Sequence, residues 1–494
     1  MSSHTEYVTK RLHPINIGFK LINLGRSMLF PIIFLFIIKH GSDSAFTKYG
    51  RIAIILFMVI SIIGILLNWL THRYEFEERT LHIYHGVFVK SHRNVPLSRI
   101  QNIQKHATFL HRMFNLTSIT LETGASGEEA SVKFDVISYK EAERIEQLVE
   151  SLASDQLVEE NTILNVDKMD EEEPALFEKT MHYTVSNKEL VKASFTSLSF
   201  VAIIPIVVSI YFNIDEFFSL DDVTGNLFSI ILDKLWILIP LTLAFLLVSI
   251  SIGLVTTFLR YGKFEISSDT NRIYLKKGIL NVTSFSITKN KVQAIQFEQS
   301  LLKRWFGFVE VKLVSAGSVG DDKQETNSLF PFLPIKQAYA LVEILLPDYQ
   351  INPDMYKLPQ KSLELKLLRP NYFWIIGSII LFSWKPEFWY ASPILLAIIL
   401  VYKYLVFFRT RYLLNDHLLQ IKTGAFTSTL FVTDRHKIQE IEVKQSVLQR
   451  KFGLANIQLS NRGKPIHISN IDDLPQNIAS RFYHWYAARP QNTK

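Results

Sequence analysis

The sequence predicts an α+β membrane protein of three repeats, each a two-helix transmembrane hairpin followed by a bent β-sheet or partial barrel with a C-terminal helix. Three observations predict it. Long apolar runs come in pairs, alternating strand-like stretches follow each pair, and one set of residues recurs three times at fixed spacing.

The chain has 494 residues, 48% of them hydrophobic, and a mean hydropathy of +0.15. Its apolar residues fall in blocks with the charges between them, as expected where lipid and water solvate alternate segments. There is no cysteine, which excludes disulfides, thiolate metal sites, iron–sulfur clusters and a cysteine nucleophile. A net charge of +7 and a pI near 9.1 are read as the bases that hold loops on the cytoplasmic side. They are not read as a nucleic-acid surface, because no recognised RNA or DNA module pattern accompanies them. The first apolar run leads to Lys39-His40-Gly41-Ser42-Asp43 and not to a small-residue cleavage pattern, so no cleavable signal is expected.

A helix needs about 20 mostly apolar residues to cross a bilayer. Six runs are read as spans, at 21–38, 52–70, 198–214, 235–258, 372–384 and 389–408. Arg26 lies near the start of the first, where it can snorkel. The fifth is the shortest, with 13 residues before Lys385-Pro386-Glu387. An even number of spans puts the N-terminus, both long loops and the C-terminal segment on one side. The bases next to the spans on that side are Lys20, Arg26, Arg73, Arg260, Lys263, Arg369, Arg409 and Arg411. The loop after the third span is acidic, with Asp215, Glu216, Asp221, Asp222 and Asp233. The bias places both termini and the three large domains in the cytoplasm, with Lys39, Lys48 and Arg51 running against it.

The internal repeat fixes the rest. Aligned on Gly86, Gly278 and Gly424, the chain has a glutamine 15 residues later each time, at Gln101, Gln293 and Gln439. Then come Ile103, Ile295 and Ile441, Leu110, Leu302 and Leu448, Arg112, Arg304 and Arg450, and Phe114, Phe306 and Phe452, without a residue gained or lost. Alternation on both sides of the glycine reads as a β-hairpin, glycine supplying the positive φ of a tight turn. The Ile/Val-Gln-x-Ile segment reads as a further strand. Leu-x-Arg-x-Phe has helix-like spacing and leads to another strand through Ile119 and Leu121, Val311 and Leu313, or Ile457 and Leu459. Each copy ends on a helical pattern: Ala142, Ile145, Val149 and Leu152; Ala338, Leu341 and Leu345; Ala479, Phe482 and Trp485 or Tyr486. The expected partition is span pairs at 1–71, 196–258 and 371–408, β-rich domains at 72–154, 259–348 and 409–494, and connecting segments at 155–195 and 349–370. The first connection is acidic from Asp155 to Pro174 and reads as a solvated linker.

Two spans followed by this glycine, Ile/Val-Gln-x-Ile and Leu-x-Arg-x-Phe-Gly/Asn order resemble the bacterial pleckstrin-homology (PH)-like membrane proteins. The threefold version resembles their YdbT-like members over nearly the whole chain. The resemblance implies a PH-like fold for each domain. It also implies a smaller single-unit relative as partner and a role in cell-envelope stress or antimicrobial-peptide tolerance. It supplies no catalytic residues. The first copy departs from the pattern with Asn115 where the others have Gly307 and Gly453.

No Walker A loop, His-Glu-x-x-His helix, Gly-x-Ser-x-Gly elbow or Gly-x-Gly-x-x-Gly turn is present, and the 14 histidines show no metal-ligand spacing. No catalytic residue, cofactor or metal is therefore expected. Arg112, Arg304 and Arg450 are candidates for lipid phosphate, since a guanidinium offers a planar donor fork, or else cap a turn or pair with a carboxylate within their own domains. The second role is preferred. Arg73, Arg260, Lys263, Arg409 and Arg411 form a basic membrane-interface set. Gly86, Gly278, Gly424, Gln101, Gln293, Gln439, Phe114, Phe306 and Phe452 are taken as structural, the glutamines bonding backbone beside a strand edge. The expected function is a non-enzymatic membrane scaffold whose domains bind proteins or lipid headgroups. The alternative is a transporter or extruder of lipids or amphipathic peptides through the spans.

Overall fold

The computed structural model describes residues 9–41, 44–77, 79–87, 89–123, 131–162, 179–196, 235–315, 328–463 and 466–488. The third expected span lies outside them. The first apolar pair forms α1 (Ile15–Ile32) and α2 (Ala45–Thr71). Both begin before the apolar run, because a helix needs hydrogen-bonded backbone and not apolar side chains. Pro31 sits inside α1, and the backbone widens into a π-helix at Ile33–Ile38 directly after it. A proline that lacks its N–H and crowds the preceding turn gives a physical reason for that change.

The first repeat continues through β2 (Arg73–Glu77), β3 (Thr80–His85), β4 (Ser91–Pro96), β5 (Ile100–Ala107), α3 (Phe109–Met113), β6 (Leu116–Thr123), β7 (Ser131–Ser138) and α4 (Tyr139–Thr162). A two-residue strand β1 (Lys10–Arg11) precedes the spans and pairs with β2, giving an antiparallel sheet β1-β2-β3-β4. A second antiparallel set runs β5-β6-β7. Leu81, Ile83, Ile103, Ile119, Leu121 and Phe134 from the strands are buried against Ala142, Ile145 and Val149 of α4. The period of two along strands and of three to four along the helix puts all of them on facing surfaces. Leu12 joins this core, and its carbonyl accepts from Trp69 Nε1 at 3.0 Å, so the segment before the first span is tied to the end of the second. Helix α4 runs on past Asp155 to Thr162, into the stretch read as linker.

The second repeat has β8 (Thr180–Thr184), α5 (Asn187–Thr196), α6 (Leu235–Tyr261), β9 (Glu265–Ser268), β10 (Arg272–Lys277), β11 (Val282–Thr288), β12 (Val292–Gln299), α7 (Leu301–Trp305), β13 (Phe308–Ser315), β14 (Ser328–Pro334) and α8 (Ile335–Leu345). The third has β15 (Tyr356–Lys357), α9 (Gln360–Leu368), α10 (Tyr372–Trp384), α11 (Ala391–Arg409), β16 (Arg411–Leu414), β17 (Leu418–Thr423), β18 (Ser428–Asp434), β19 (Ile438–Lys444), α12 (Val447–Phe452), β20 (Leu454–Asn461), β21 (His467–Pro475) and α13 (Gln476–Ala487). Among the described residues, four stretches are long and apolar enough to cross a membrane: Ile15–Ile38, Ala45–Thr71, Gln360–Trp384 and Ala391–Arg409. The stretch Gln360–Trp384 counts α9 together with α10, the 13-residue helix of the fifth expected run. α6 is a further apolar helix of 27 residues.

The chain divides into two compact units, Met1–Leu176 with Leu280–Ser286, and Phe177–Ile279 with Ile287–Lys494. In the second, one sheet runs β14-β13-β12-β18-β17-β16-β15. Strand β18 of the third repeat thus completes the sheet of the second, with Ala294 opposite Thr433, Ile295 opposite Val432, Gln296 opposite Phe431 and Phe297 opposite Leu430. The first unit has the same seam, where the start of β11 lies beside β5. There Thr283 Oγ1 meets His106 Nδ1 at 3.0 Å, and Phe109 N donates to Asn281 Oδ1 at 3.3 Å.

Two backbone positions explain residues singled out in the repeat. Gly86 and Gly424 both have φ +114°, and a Cβ there would lie 1.8 Å from the Val89 carbonyl oxygen and 1.9 Å from that of Thr427. Gly424→Ala is expected to lower stability by roughly 2 kcal/mol or more, from backbone strain and the collision together, read as a fall in unfolding midpoint. Asn115, Gly307 and Gly453 have φ 55°, 71° and 66° and each follows the short helix of its repeat. Asparagine tolerates this left-handed conformation, so the departure at Asn115 leaves the geometry intact.

Candidate functional site

The short helix of each repeat starts on a hydroxyl. Thr108, Ser300 and Ser446 accept from the backbone N–H of His111 at 3.4 Å, Lys303 at 3.3 Å and Gln449 at 3.2 Å. Such caps satisfy donors that helix geometry leaves open. The last turn then carries Arg112, Arg304 or Arg450. The outer face is apolar and exposed: Phe109, Met113 and Phe114 in α3, Leu301, Trp305 and Phe306 in α7, Val447 and Leu448 in α12. Trp305 is 80% exposed and Val447 74%. Phe114 and Phe306 therefore lie at the surface, while Phe452 is half-buried.

Each short helix sits against the segment that leads into its spans. Phe19 of α1 lies on the His111 ring, with centroids 4.1 Å apart. Helix α7 packs on α5, whose Leu190 and Ala193 share a cluster with Phe308 and Phe332. Helix α12 packs on α9, and Gln449 Nε2 donates to Asp473 Oδ1 at 2.9 Å. The same carboxylate accepts from Arg369 at 2.5 Å, and the Asp473 carbonyl accepts from Ser362 Oγ at 2.6 Å. Exposed aromatic and aliphatic side chains beside a helix end are the arrangement that suits a membrane–water interface.

At the seam of the second and third repeats, two separately predicted sets meet. Arg304 donates to the Phe426 carbonyl at 3.3 Å, and Arg409 donates to that of Ala425. Arg411 donates to Phe408 and Thr410 carbonyls at 2.6 and 3.0 Å. Lys422 of β17 completes a group of four half-buried bases at the end of α11. Burial, then the charges of Arg304, Arg411 and Arg409, hold the Lys422 ammonium below its ordinary range; burial and Arg409 do the same to Arg304. None of the four forms an ion pair with a carboxylate among the described residues. The cluster is therefore an unneutralised cationic patch that an anion would relieve. Lys422 was missed from sequence, although Lys276 occupies the same place before Gly278 and so marks a repeated base.

The other candidates are dispersed. Arg73 is exposed and lies opposite Arg11 across β1 and β2. Arg260 lies over the Tyr261 ring at 5.8 Å, as does Lys277 at 5.8 Å, and Lys263 takes φ 53° just beyond. Gln293 Nε2 donates to the Lys291 carbonyl at 3.1 Å, and its own carbonyl accepts from Thr433 Oγ1 at 2.9 Å across the seam. Gln101 is buried and Gln439 is exposed, so the same residue changes environment with its repeat. Arg450 makes no side-chain hydrogen bond or ion pair among the described residues, in contrast to Arg304.

His111 gives this face a pH dependence. Its Nε2 donates to the Asp135 carbonyl at 3.1 Å, which leaves Nδ1 to accept from Thr108 Oγ1 at 2.7 Å. Burial holds its pKa below the ordinary 6.5, against the smaller opposing pull of Asp135. The unfolded chain then binds the proton more readily. Stability from this group is complete above pH 6.5 and is lost as pH falls through the lower folded value. The unfolding midpoint is expected to drop between pH 7 and 5, with a shallower slope in His111→Gln.

Comparison with known proteins fits this threefold geometry. The bacterial PH domain pattern matches three times, at residues 29–153, 220–348 and 372–490. The chain is 26% identical to UPF0699 transmembrane protein YdbT of Bacillus subtilis (strain 168), over 97% of this chain and 98% of that one. With most of its length matched and each match ending at or near a covering helix, the chain is a transmembrane protein that belongs to the bacterial PH domain family.

Proposed function

We propose that the chain is a six-span, non-catalytic scaffold whose PH-like domains face the cytoplasm and hold anionic lipid headgroups at the span ends. The observation that carries this is the cluster of Arg304, Arg409, Arg411 and Lys422 beside the end of α11, with the exposed Trp305 and Phe306 on the adjoining short helix. Four bases that repel one another without a carboxylate between them favour an anion. Their place at the end of a span favours one carried by lipid. A planar guanidinium can grip a phosphate with two parallel bonds, and the flanking rings can lie among the acyl boundary. Protein partners, including the single-unit relative implied by the resemblance, would meet the same side.

The test is a thermal-shift titration of the full chain in mild detergent with short-chain phosphatidylglycerol, short-chain phosphatidylcholine and inorganic phosphate. Phosphatidylglycerol is expected to raise the midpoint and phosphatidylcholine to leave it unchanged. In Arg409→Gln/Lys422→Gln the phosphatidylglycerol concentration needed should rise roughly thirtyfold, at about 1 kcal/mol per base. An equal response to both lipids, or an unchanged response in the variant, would defeat the proposal. Inorganic phosphate reproducing the whole shift would mean a free anion and not a headgroup.

A further inference from the structure

The seams between repeats follow one rule: the fourth strand of a repeat's first sheet is laid along the free edge of the preceding repeat's second sheet. Strand β18 lies on β12, and the start of β11 lies on β5. Three repeats have two such seams and leave one of each edge over. Among the described residues, β4 ends the sheet β1-β2-β3-β4, and β19 ends the sheet β19-β20-β21.

Side chains at these two edges differ from their counterparts in the seam. Phe297 of β12 is 3% exposed, while Val443, at the same place in β19, is 40% exposed. Ala294 is buried, and its counterpart Glu440 is exposed. On the other side, Leu430 and Val432 of β18 are buried, and their counterparts His92 and Asn94 of β4 are exposed. Arg450, the counterpart of Arg304, likewise lacks the carbonyl that the following hairpin supplies to Arg304.

We propose that β4 of one copy of this chain pairs with β19 of a second copy, repeating the internal seam between molecules. Transferring the β12–β18 register by the fixed spacing of the repeats puts Glu442 opposite Arg93 and Val443 opposite His92. Beside them, β19 also carries Glu440, and β4 follows Lys90. The two edges are thus of opposite sign, with Lys444, paired to Glu442 at 2.7 Å, as the exception on β19. Arg93 also donates to a carbonyl of its own repeat, that of Ser131, at 3.0 Å. Charges on an edge strand oppose pairing with a like edge. Here they set β4 against β4 and β19 against β19, and they match β4 to β19. Because the two edges are different patches of one chain, the contact is head-to-tail and generates a ring or an open row.

The absence of native cysteine makes the test clean. His92→Cys and Val443→Cys are placed in separate, differently tagged full-length chains, co-expressed and oxidised mildly in membranes. A disulfide joining the two tags, absent when either variant is expressed alone, is the expected result. In the same assay Arg93→Glu or Glu442→Arg in both chains should abolish that product, and the two together should restore it. No mixed-tag product, equal products from each variant alone, or attachment of the Val443→Cys chain to a different, single-unit protein would each overturn the proposal. The readout concerns association alone, so it stands or falls independently of headgroup binding at the basic cluster.

Discussion

Asp473→Ala is expected to destabilise the third repeat by about 2–3 kcal/mol, the cost of removing a buried charged acceptor from a half-exposed arginine and a buried glutamine. The carboxylate is fully buried and takes hydrogen bonds from Arg369 and Gln449. Its own backbone N–H donates to Asn456 Oδ1 at 3.0 Å. Without it, Arg369 faces a cavity with no anion, and α12 loses a tie to the segment that leads into α10. Asp473→Asn keeps an acceptor and the shape, so its loss should be smaller. Hydrogen exchange over residues 411–488 reads both: strands β19–β21 should lose protection in the alanine variant while the first repeat stays unchanged. Equal protection in wild type and variant would show that the pair contributes nothing net.

Val432→Asp is expected to have an effect of similar size, on the order of several kcal/mol, because it buries an unpaired charge in the seam. Val432 and Ile295 face each other across β18 and β12, and neither is exposed to solvent. The corresponding change in the first repeat, Asn94→Asp, falls on an exposed strand edge and should stay within about 0.5 kcal/mol. The contrast is informative, since the two positions are equivalent in the repeat and one is covered by the preceding repeat's sheet while the other is not. Thermal midpoints of the two variants, measured side by side, check it. A similar fall for both would mean that the seam does not set the burial.

Much of each domain could be read from residues at fixed offsets. Gly424 needs its positive φ, Leu419 and Ile421 share one face of a strand, and Ala479 and Phe482 lie on one face of a helix. Such features are local and show as periodicity. Strands β1 and β15 are not legible, because two residues cannot alternate, and β7, β14 and β21 form no part of the pattern read from the repeat. The seam was hidden for a different reason. Alternation in β18 says which side chains share a face, but the choice of neighbour along each edge belongs to the backbone. The same gap explains the site: Arg304, Arg409 and Arg411 were named for separate reasons, and only the crossing of β18 onto β12 makes them neighbours. Caps at Thr108, Ser300 and Ser446 were present in the sequence as a repeated hydroxyl and passed unread.

The sharing of strands also imposes a timetable on biosynthesis. When the ribosome has finished α8, strand β12 has been made but its neighbour has not, since Ser428–Asp434 lies beyond another span pair. During that interval Phe297 and Ala294 border an edge of unpaired N–H and carbonyl groups, the surface most prone to pair wrongly. Insertion of α10 and α11 stands between exposure and closure. Whatever slows the third helical pair in the membrane therefore prolongs the vulnerability of a domain already synthesised, and a nascent chain stalled there would have reason to recruit a chaperone.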